Sequence, residues 1–531
     1  MAVAAAVGIL GGFALLHFRS DNGRSVAESF AHAWQRGDYP AMYVSVDPAQ
    51  RRSLPLPAFT AAYRRAVTTA TATGLAIGDL RRAGDDWVLP VRVRTRAFGV
   101  VRGTVRLRVT GAEPRSVRWS RALTFPGLTA SGKLARHTRA PRRAPLLARD
   151  GRPLTSSDGV PSELGASTGI TGDVGRATGP RRRALVAAGF PADTAVGVSG
   201  LQQALDARLL GQPGGTLLAG GRVLARSRPV PAAPVRTSLD PRIQRAAQDA
   251  LGGQFGGVGV VEPSTGEVLA LAGIALDGAQ PPGSTFKIMT VTAALESGIV
   301  SLRSQFPVKT GANVGGRFLA NAHDEECGGD LTESFSKSCN SVFAPLGVKL
   351  GARRLVDVAQ RFGFNQLPAV PGAKPDVIPS ASQMTDPAEV GASAIGQGRV
   401  LATALGMARV GAVIANGGLR PQLTLLHGER SRVVRATSPK VASLVRGLMV
   451  AVVNGEGATG NSAAIRGRRV AGKTGTAELG GDQPNDAWFV AFAPAPAPKL
   501  AVGVLVVNGG FGGETAAPIA RQVLLAGLGG G

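Results

Sequence analysis

Cysteine is almost absent from this 531-residue chain: only Cys327 and Cys339 occur, which excludes a scaffold built on disulfides. Acid is scarce as well. Against 60 Lys and Arg stand 35 Asp and Glu, a formal charge of +25 carried mostly by arginine. Such a charge raises the question of nucleic acid, but aromatic residues are missing where they would be needed. Val105, Leu107 and Val109 alternate with Arg106 and Arg108, and no ring is interleaved for base stacking. The pattern reads as a strand with one wet face, and the charge as a surface facing anionic polymers or lipid rather than nucleic acid. His323 and His427 stand in no recognisable Ser-His-Asp pattern. The run His323-Asp324-Glu325-Glu326-Cys327 has a metal site's composition, yet adjacent loop residues rarely converge on one ion and no second ligand group stands nearby. No metal and no cofactor are expected.

Long apolar runs are also missing, apart from one. Ala2 to Leu16 is apolar or glycine throughout and closes at His17-Phe18-Arg19. That is shorter than the ~17–25 residues of a spanning helix, and no basic flank precedes it. We read residues 1–19 as a signal anchor that has lost a short cytoplasmic leader, with a cleaved secretory peptide as the rival. An anchor here implies a single-pass cell-membrane protein whose remaining domains are extracytoplasmic.

The most informative stretch is Pro281-Pro282-Gly283-Ser284-Thr285-Phe286-Lys287. The Pro-Pro-Gly turn cannot continue a helix, and the apolar run from Phe286 to Leu295 reads as a buried one ending at Gly298. Ser284 therefore sits at a helix amino terminus, where backbone N–H groups favour developing negative charge, and Lys287 returns to the same face. A serine hydroxyl needs a base to become nucleophilic, and a lysine held neutral by burial can be that base.

Alone, Ser-x-x-Lys occurs roughly once by chance in a chain of this length. Its company is what matters. Ser338-Cys339-Asn340 follows, then Lys473-Thr474-Gly475 with Thr476-Ala477-Glu478. This ordered set resembles the signature of penicillin-binding proteins and serine β-lactamases. Further likenesses are Ala394-Ile395-Gly396-Gln397-Gly398, Ile414-Ala415-Asn416-Gly417-Gly418 and Asp486-Ala487-Trp488-Phe489-Val490. The nearest pattern is that of class B penicillin-binding proteins.

Four segments are expected. Residues 1–19 are the anchor. Residues 22–128 hold helical patterns (Val26, Ala27, Phe30, Trp34, then Pro57 to Val67) before strands at Trp87–Val93 and Thr104–Val109. The opening Ala-x-x-Trp-x-x-Gly-Asp-Tyr type and the Trp119…Phe125-Pro126 exit resemble the amino-terminal domain of the methicillin-resistance penicillin-binding protein, a small cone-shaped α+β module that would act as a spacer. Residues 129–236, rich in Pro, Gly and Arg, read as a linker and pedestal or dimerisation module, with Gly165–Gly179 a flexible loop. Landmarks are Arg149-Asp150-Gly151-Arg152 and Ser199-Gly200-Leu201.

Residues 237–531 are expected, from the same resemblance, to form a transpeptidase domain. Asp240 can cap a helix that begins at Pro241. A hairpin (Gly257–Val261, Glu267–Ala272), a helical insert carrying the first two motifs, the Lys473 strand, strands Trp488–Phe492 and Leu500–Val507, and a helix Ala516–Leu525 follow. The whole is multidomain α+β, and the resemblance implies for this last domain an antiparallel five-stranded sheet flanked by helices.

The resemblance also implies roles. Ser284 would attack the penultimate D-alanine carbonyl of a stem peptide, Lys287 would take its proton, Ser338 would bridge the lysines and pass a proton to the departing amine, and Lys473 would supply positive field. Asn340, Thr474, Gly475 and Thr476 would hold the donor chain, with the Ser284 and Thr476 amides as oxyanion hole. Partners would be D-Ala-D-Ala stem peptides, β-lactams, the membrane, and a glycosyltransferase of the divisome or elongasome. Alternatives are a D,D-carboxypeptidase or β-lactamase-type hydrolase, or a non-catalytic penicillin-binding sensor or divisome scaffold. No acidic motif for a deacylating water is identifiable, and several membrane spans, as sensors of this family carry, are missing. Outside the membrane Cys327 and Cys339 can oxidise to a short-loop disulfide beside Asn340; two buried thiols are the other possibility.

Overall fold

A computed structural model describes residues 22–111, 115–480 and 483–529. The expected anchor, residues 1–19, lies outside them. Among the described residues no helix is long and apolar enough to cross a membrane. The chain divides into two compact units. One comprises the described residues through Ala144 with Val174–Val198 and Leu205–Ala233; the other holds Pro145–Asp173, Ser199–Ala204 and everything from Pro234 on.

In the first unit, helix Asn22–Arg36 repeats Ala27, Phe30, Ala31 and Trp34 at helical spacing, and all four are buried. They pack in one core with Phe59 and Tyr63 of helix Leu56–Ala70 and with Val91, Val105 and Leu107 of the sheet. The central hairpin pairs Asp86–Thr95 with Gly99–Thr110. Val105 and Leu107 point to the core while Arg106 and Arg108 face water, and Arg108 reaches Asp86 at 2.8 Å across the strands.

Segment 129–236 is more ordered than its composition suggests, and its parts belong to both units. Gly165–Gly179, expected as loop, carries a helix Glu163–Thr168 whose Ser162 cap accepts from Gly165 N at 3.0 Å, then a strand Val174–Arg176 paired with Ala195–Gly197. Gly165 to Gly169 has the Gly-x-Ser-x-Gly spelling, but it lies on this helix and its left-handed cap instead of the strand-to-helix turn that hydrolase motif requires. What orders the neighbouring piece is polar: buried Asp206 accepts from Arg143 at 2.7 Å, Arg181 at 2.5 Å and the Gly197 amide at 2.8 Å. Apart from the ten-residue helix Gly179–Ala188, the elements here have two to six residues, too few for a hydrophobic period to be read.

The second unit is built on an antiparallel five-stranded sheet, in spatial order Val268–Gly273, Gly256–Val261, Leu500–Val506, Asp486–Ala493 and Ala471–Ala477. The middle strands are apolar on both faces because helices cover both. On one side Ile243 and Leu251 of helix Pro241–Leu251 share a core with Ile519 and Val523 of helix Ala516–Gly527. Asp240 caps the first of these through Arg242 N and Ile243 N, a contact worth about 1 kcal/mol. On the other side lies the fully buried helix Ala404–Ala415. The sheet meets it without room for a side chain: a Cβ at Gly503 would fall 2.2 Å from Ala404 O. Between the second and third strands of the chain order, a helical insert brings Lys287–Glu296, Leu331–Ser336 and Asn340–Leu350 to the Ala471–Ala477 edge. That edge strand has no further strand outside it, so half of its backbone polar groups face the insert.

Candidate active site

Ser284 stands on a 3-10 turn, Gly283–Phe286, which runs directly into helix Lys287–Glu296. Eight consecutive residues of that helix, from Lys287 to Ala294, are buried, including the lysine itself. Gly283 has φ +51, and a Cβ there would lie 2.5 Å from Thr476 O; only glycine lets the serine turn reach the sheet edge. A strand residue projects its C=O and N–H to the same side, so the Thr476 amide also faces the turn. Gly475 allows the same approach, since a Cβ there would meet Pro282 O at 2.7 Å.

The second motif forms the roof over Lys287. Ser338 follows helix Leu331–Ser336 with φ +65, a left-handed conformation costly for a residue with a side chain. Two features hold it there. Cys339 is bonded to Cys327 in a disulfide that pins the next residue, and Lys287 Nζ donates to Ser338 O at 2.7 Å. The cysteines are thus paired rather than free thiols.

The two lysines converge on one hydroxyl. Lys473 Nζ lies 2.9 Å and Lys287 Nζ 3.3 Å from Ser338 Oγ. Lys287 also donates to Asn340 Oδ1 at 2.6 Å, and Lys473 to Thr474 O at 2.9 Å. Phe343 and Phe335 lie under the respective ammonium groups at 5.6 and 5.5 Å from the ring centroids. Both side chains are fully buried, and among the described residues no carboxylate is bonded to either. Burial, and secondarily the charge of Lys473, holds Lys287 well below the usual lysine range. Burial alone pushes Lys473 down to about 7.

All three motifs therefore meet at one cleft of about 520 Å³, lined among others by Ser284, Ser338, Asn340, Thr474 and Thr476. The hydrogen bonds of Lys287 go to the Ser338–Asn340 turn rather than to Ser284. Asn340 is partly committed: its Nδ2 donates to Ala320 O at 2.7 Å while Oδ1 serves Lys287. Each end retains capacity for a further bond.

Sequence reasoning missed several neighbours. Thr459 shares a 2.7 Å hydrogen bond with the Thr474 hydroxyl and reaches Ser336 O at 3.0 Å, tying the third motif to the second; no local pattern marks it. His323 and Phe511 stack with centroids 4.1 Å apart and line the cleft. Among the described residues no group of three or more His, Cys, Asp or Glu is placed to hold a metal ion. His427, which stands in no recognisable Ser-His-Asp pattern, pairs with an acid all the same: Nδ1 lies 3.0 Å from Glu267 Oε2, whose carboxylate also sits 3.5 Å from Arg149. This ties a loop to a hairpin end and offers no serine.

Residues 256–525 match the penicillin binding protein transpeptidase domain. Peptidoglycan D,D-transpeptidase PbpA of Mycolicibacterium smegmatis is 35% identical over 365 residues, 55% of this chain and 72% of that protein. Among solved structures, penicillin-binding protein A from M. tuberculosis as its penicillin G acyl-enzyme superposes with a TM-score of 0.52 at 32% identity, covering 57% of this chain and 82% of that one. Pseudomonas aeruginosa PBP2 reaches 0.64 at 25% identity, covering 74% and 96%. With the sheet, the edge-strand cleft and the three motifs meeting in it, the match over half the chain has one meaning: this protein is a member of the penicillin-binding protein transpeptidase family, of class B.

Proposed function

We propose that the protein is a peptidoglycan D,D-transpeptidase that crosslinks stem peptides through an acyl-enzyme on Ser284, and that β-lactams acylate the same hydroxyl. The observation that carries this is the pair of buried lysines sharing the Ser338 hydroxyl beside Ser284. A neutral Lys287 has two N–H groups, and its shortest acceptors, Asn340 Oδ1 at 2.6 Å and Ser338 O at 2.7 Å, use both. Its lone pair is then left to take a hydroxyl proton.

In the first half-reaction the Ser284 proton passes to Lys287 as Oγ bonds to the carbonyl carbon of the penultimate D-alanine. The oxyanion rests on the Ser284 and Thr476 amides. The C–N bond breaks, and the proton returns through the Ser338 hydroxyl to the amine of the departing D-alanine. Lys473 lowers the cost of charge along this relay and, with the Thr474 and Thr476 hydroxyls, holds the terminal carboxylate. Asn340 holds the donor backbone. In the second half an acceptor amine attacks the ester, gives up a proton to Lys287, and Ser284 leaves with that proton restored.

The same proposal includes the setting. Residues 1–19 tether the chain to the cell membrane, residues 22–128 act as a spacer, 129–236 as the pedestal, and 237–531 work outside the membrane with a glycosyltransferase partner. The test is mass spectrometry of the purified chain after fluorescent penicillin. A single adduct on the Ser284 peptide, lost in Ser284→Ala and released slowly, is expected. An adduct elsewhere ends the assignment, and rapid release of hydrolysed penicillin replaces the transpeptidase by a hydrolase.

A further inference from the structure

Away from the serine cleft, the second unit contains a cavity of about 380 Å³ lined by arginines and no carboxylate. Its walls are the hairpin Leu419–Pro421/Val433–Arg435, the turn at Gln366–Ala369, and Arg409 from the buried helix Ala404–Ala415. None of its lining residues lines the cleft of Ser284.

Arg409 is the unusual member. Its side chain is only 7% exposed, and it enters a helix that is otherwise small and apolar. Asp376 balances its charge through Nη2 at 2.6 Å, and that carboxylate is itself occupied by the Thr403 amide at 2.8 Å. The guanidinium is packed against the chain at Gly363, where a Cβ would fall 2.5 Å from Cζ. Its Nε, however, is buried without a hydrogen-bond partner. Arg420 repeats the situation: Nη1 donates to Gln366 Oε1 at 2.7 Å, while its Nε is buried and unpartnered. Arg432 lines the same space from the other strand.

Two unmet guanidinium donors in one cavity are a conspicuous exception to the rule that buried polar groups are satisfied. Their cationic character makes the exception more costly, and also states what would relieve it. A guanidinium edge is shaped for the paired oxygens of a phosphate or a similar oxyanion, which would meet the terminal nitrogens turned to the cavity and supply the negative charge that its lining lacks. Burial, and secondarily the nearby charge of Arg409, holds Arg420 below the usual arginine range. Leu367, Pro368, Pro421, Leu423 and Val434 complete the lining and leave apolar surface for whatever carries the anion.

We infer that this cavity is a second ligand site, separate from the serine cleft, that binds an oxyanion of the phosphate class through Arg409, Arg420 and Arg432. The phosphate is either a free or polymer-borne group or a lipid headgroup.

The experiment is calorimetric titration of inorganic phosphate into the purified full chain at constant ionic strength, with chloride as the control. Saturable one-site binding is expected, weakened at least tenfold in Arg420→Gln, with the rate of fluorescent-penicillin labelling unchanged. Arg420→Lys, which keeps the charge and loses the fork, should weaken binding as well. Heat that fails to saturate, or equal binding by wild type and Arg420→Gln, overturns the proposal. Should Arg420→Gln fail to take up penicillin, the exposed Arg432→Gln decides: weaker phosphate binding with normal labelling supports the site, and unchanged binding refutes it. Sedimentation with phosphatidylglycerol vesicles, against phosphatidylcholine, separates the sources. Vesicle binding competed by phosphate and reduced in the variants assigns a headgroup, and phosphate binding without vesicle preference assigns a free or polymer-borne anion.

Discussion

Replacing Ser338 by alanine tests the core of the proposed chemistry, because among the described residues this hydroxyl is the one atom within hydrogen-bond reach of both buried lysines. Its loss removes contacts of 2.9 Å to Lys473 and 3.3 Å to Lys287. Lys473 then keeps Thr474 O at 2.9 Å and only a 3.5 Å approach to the Thr474 hydroxyl. A buried donor left short of acceptors costs about 1–3 kcal/mol in stability. The kinetic effect should be larger than that structural loss. A positioned proton relay contributes about 10²–10⁴-fold, roughly 3–5 kcal/mol of barrier, so the second-order acylation rate with fluorescent penicillin should fall by that factor. The decisive measurement is a cycle with Lys473→Met. If the hydroxyl acts by linking the two amines, the double variant is no slower than the slower single one. Rates that multiply, or a Ser338→Ala enzyme acylated within about threefold of wild type, refute the relay.

The Lys473 titration predicts a stability profile of definite sign. Its folded value of about 7 lies below the ordinary 10.5, so the unfolded chain binds more protons between those limits and stability rises with pH across that window. Relative to Lys473→Met, the wild type should therefore gain in urea midpoint from pH 7 to 10 and show a flat difference below pH 7; a difference that shrinks as pH rises contradicts the buried amine. Acylation should be lost as pH falls far enough to protonate Lys287, whose lone pair the proposed reaction needs, and an acid limb absent down to pH 4 in a folded enzyme contradicts its proposed role as base. The Cys327–Cys339 bond spans a sequence separation of 12, and Cys327→Ala with Cys339→Ala should lower stability by about 3 kcal/mol and slow acylation through a looser Ser338–Asn340 turn; an unchanged melting curve refutes this. Gly475→Ala would place a methyl 2.7 Å from Pro282 O and 2.9 Å from Trp488 Cβ, so the serine turn must retreat from the Thr476 amide and acylation should drop more than tenfold, measured by penicillin labelling.

Much of the second unit, and the central hairpin of the first, was legible in the sequence. Asp240 before Pro241, the alternation around Val105, and the apolar strands at Trp488 and Leu500 are local signals, because caps and strand periods are set by neighbours in the chain. The three motifs could be named and ordered for the same reason, and the family pattern supplied their expected proximity. Segment 129–236 was not legible: its order depends on Asp206 meeting Arg143 and Arg181, partners scattered in sequence and invisible to any periodicity. Nor did sequence distinguish a disulfide from two thiols, since a sequence separation of 12 permits either.

By itself, then, the sequence determined the local elements and named the candidate reactive groups, which depend on residue type and short-range spacing. Only the tertiary structure decided that Lys287 and Lys473 are sealed from water around one hydroxyl 51 and 135 residues away from them, and that Arg420 shares a cavity with Arg409, whose charge Asp376 pairs from behind, while no carboxylate is among the lining residues. Burial and charge neighbours are properties of packing between distant segments, and they, more than the names of the residues, set which amine is basic and which cation is unpaired.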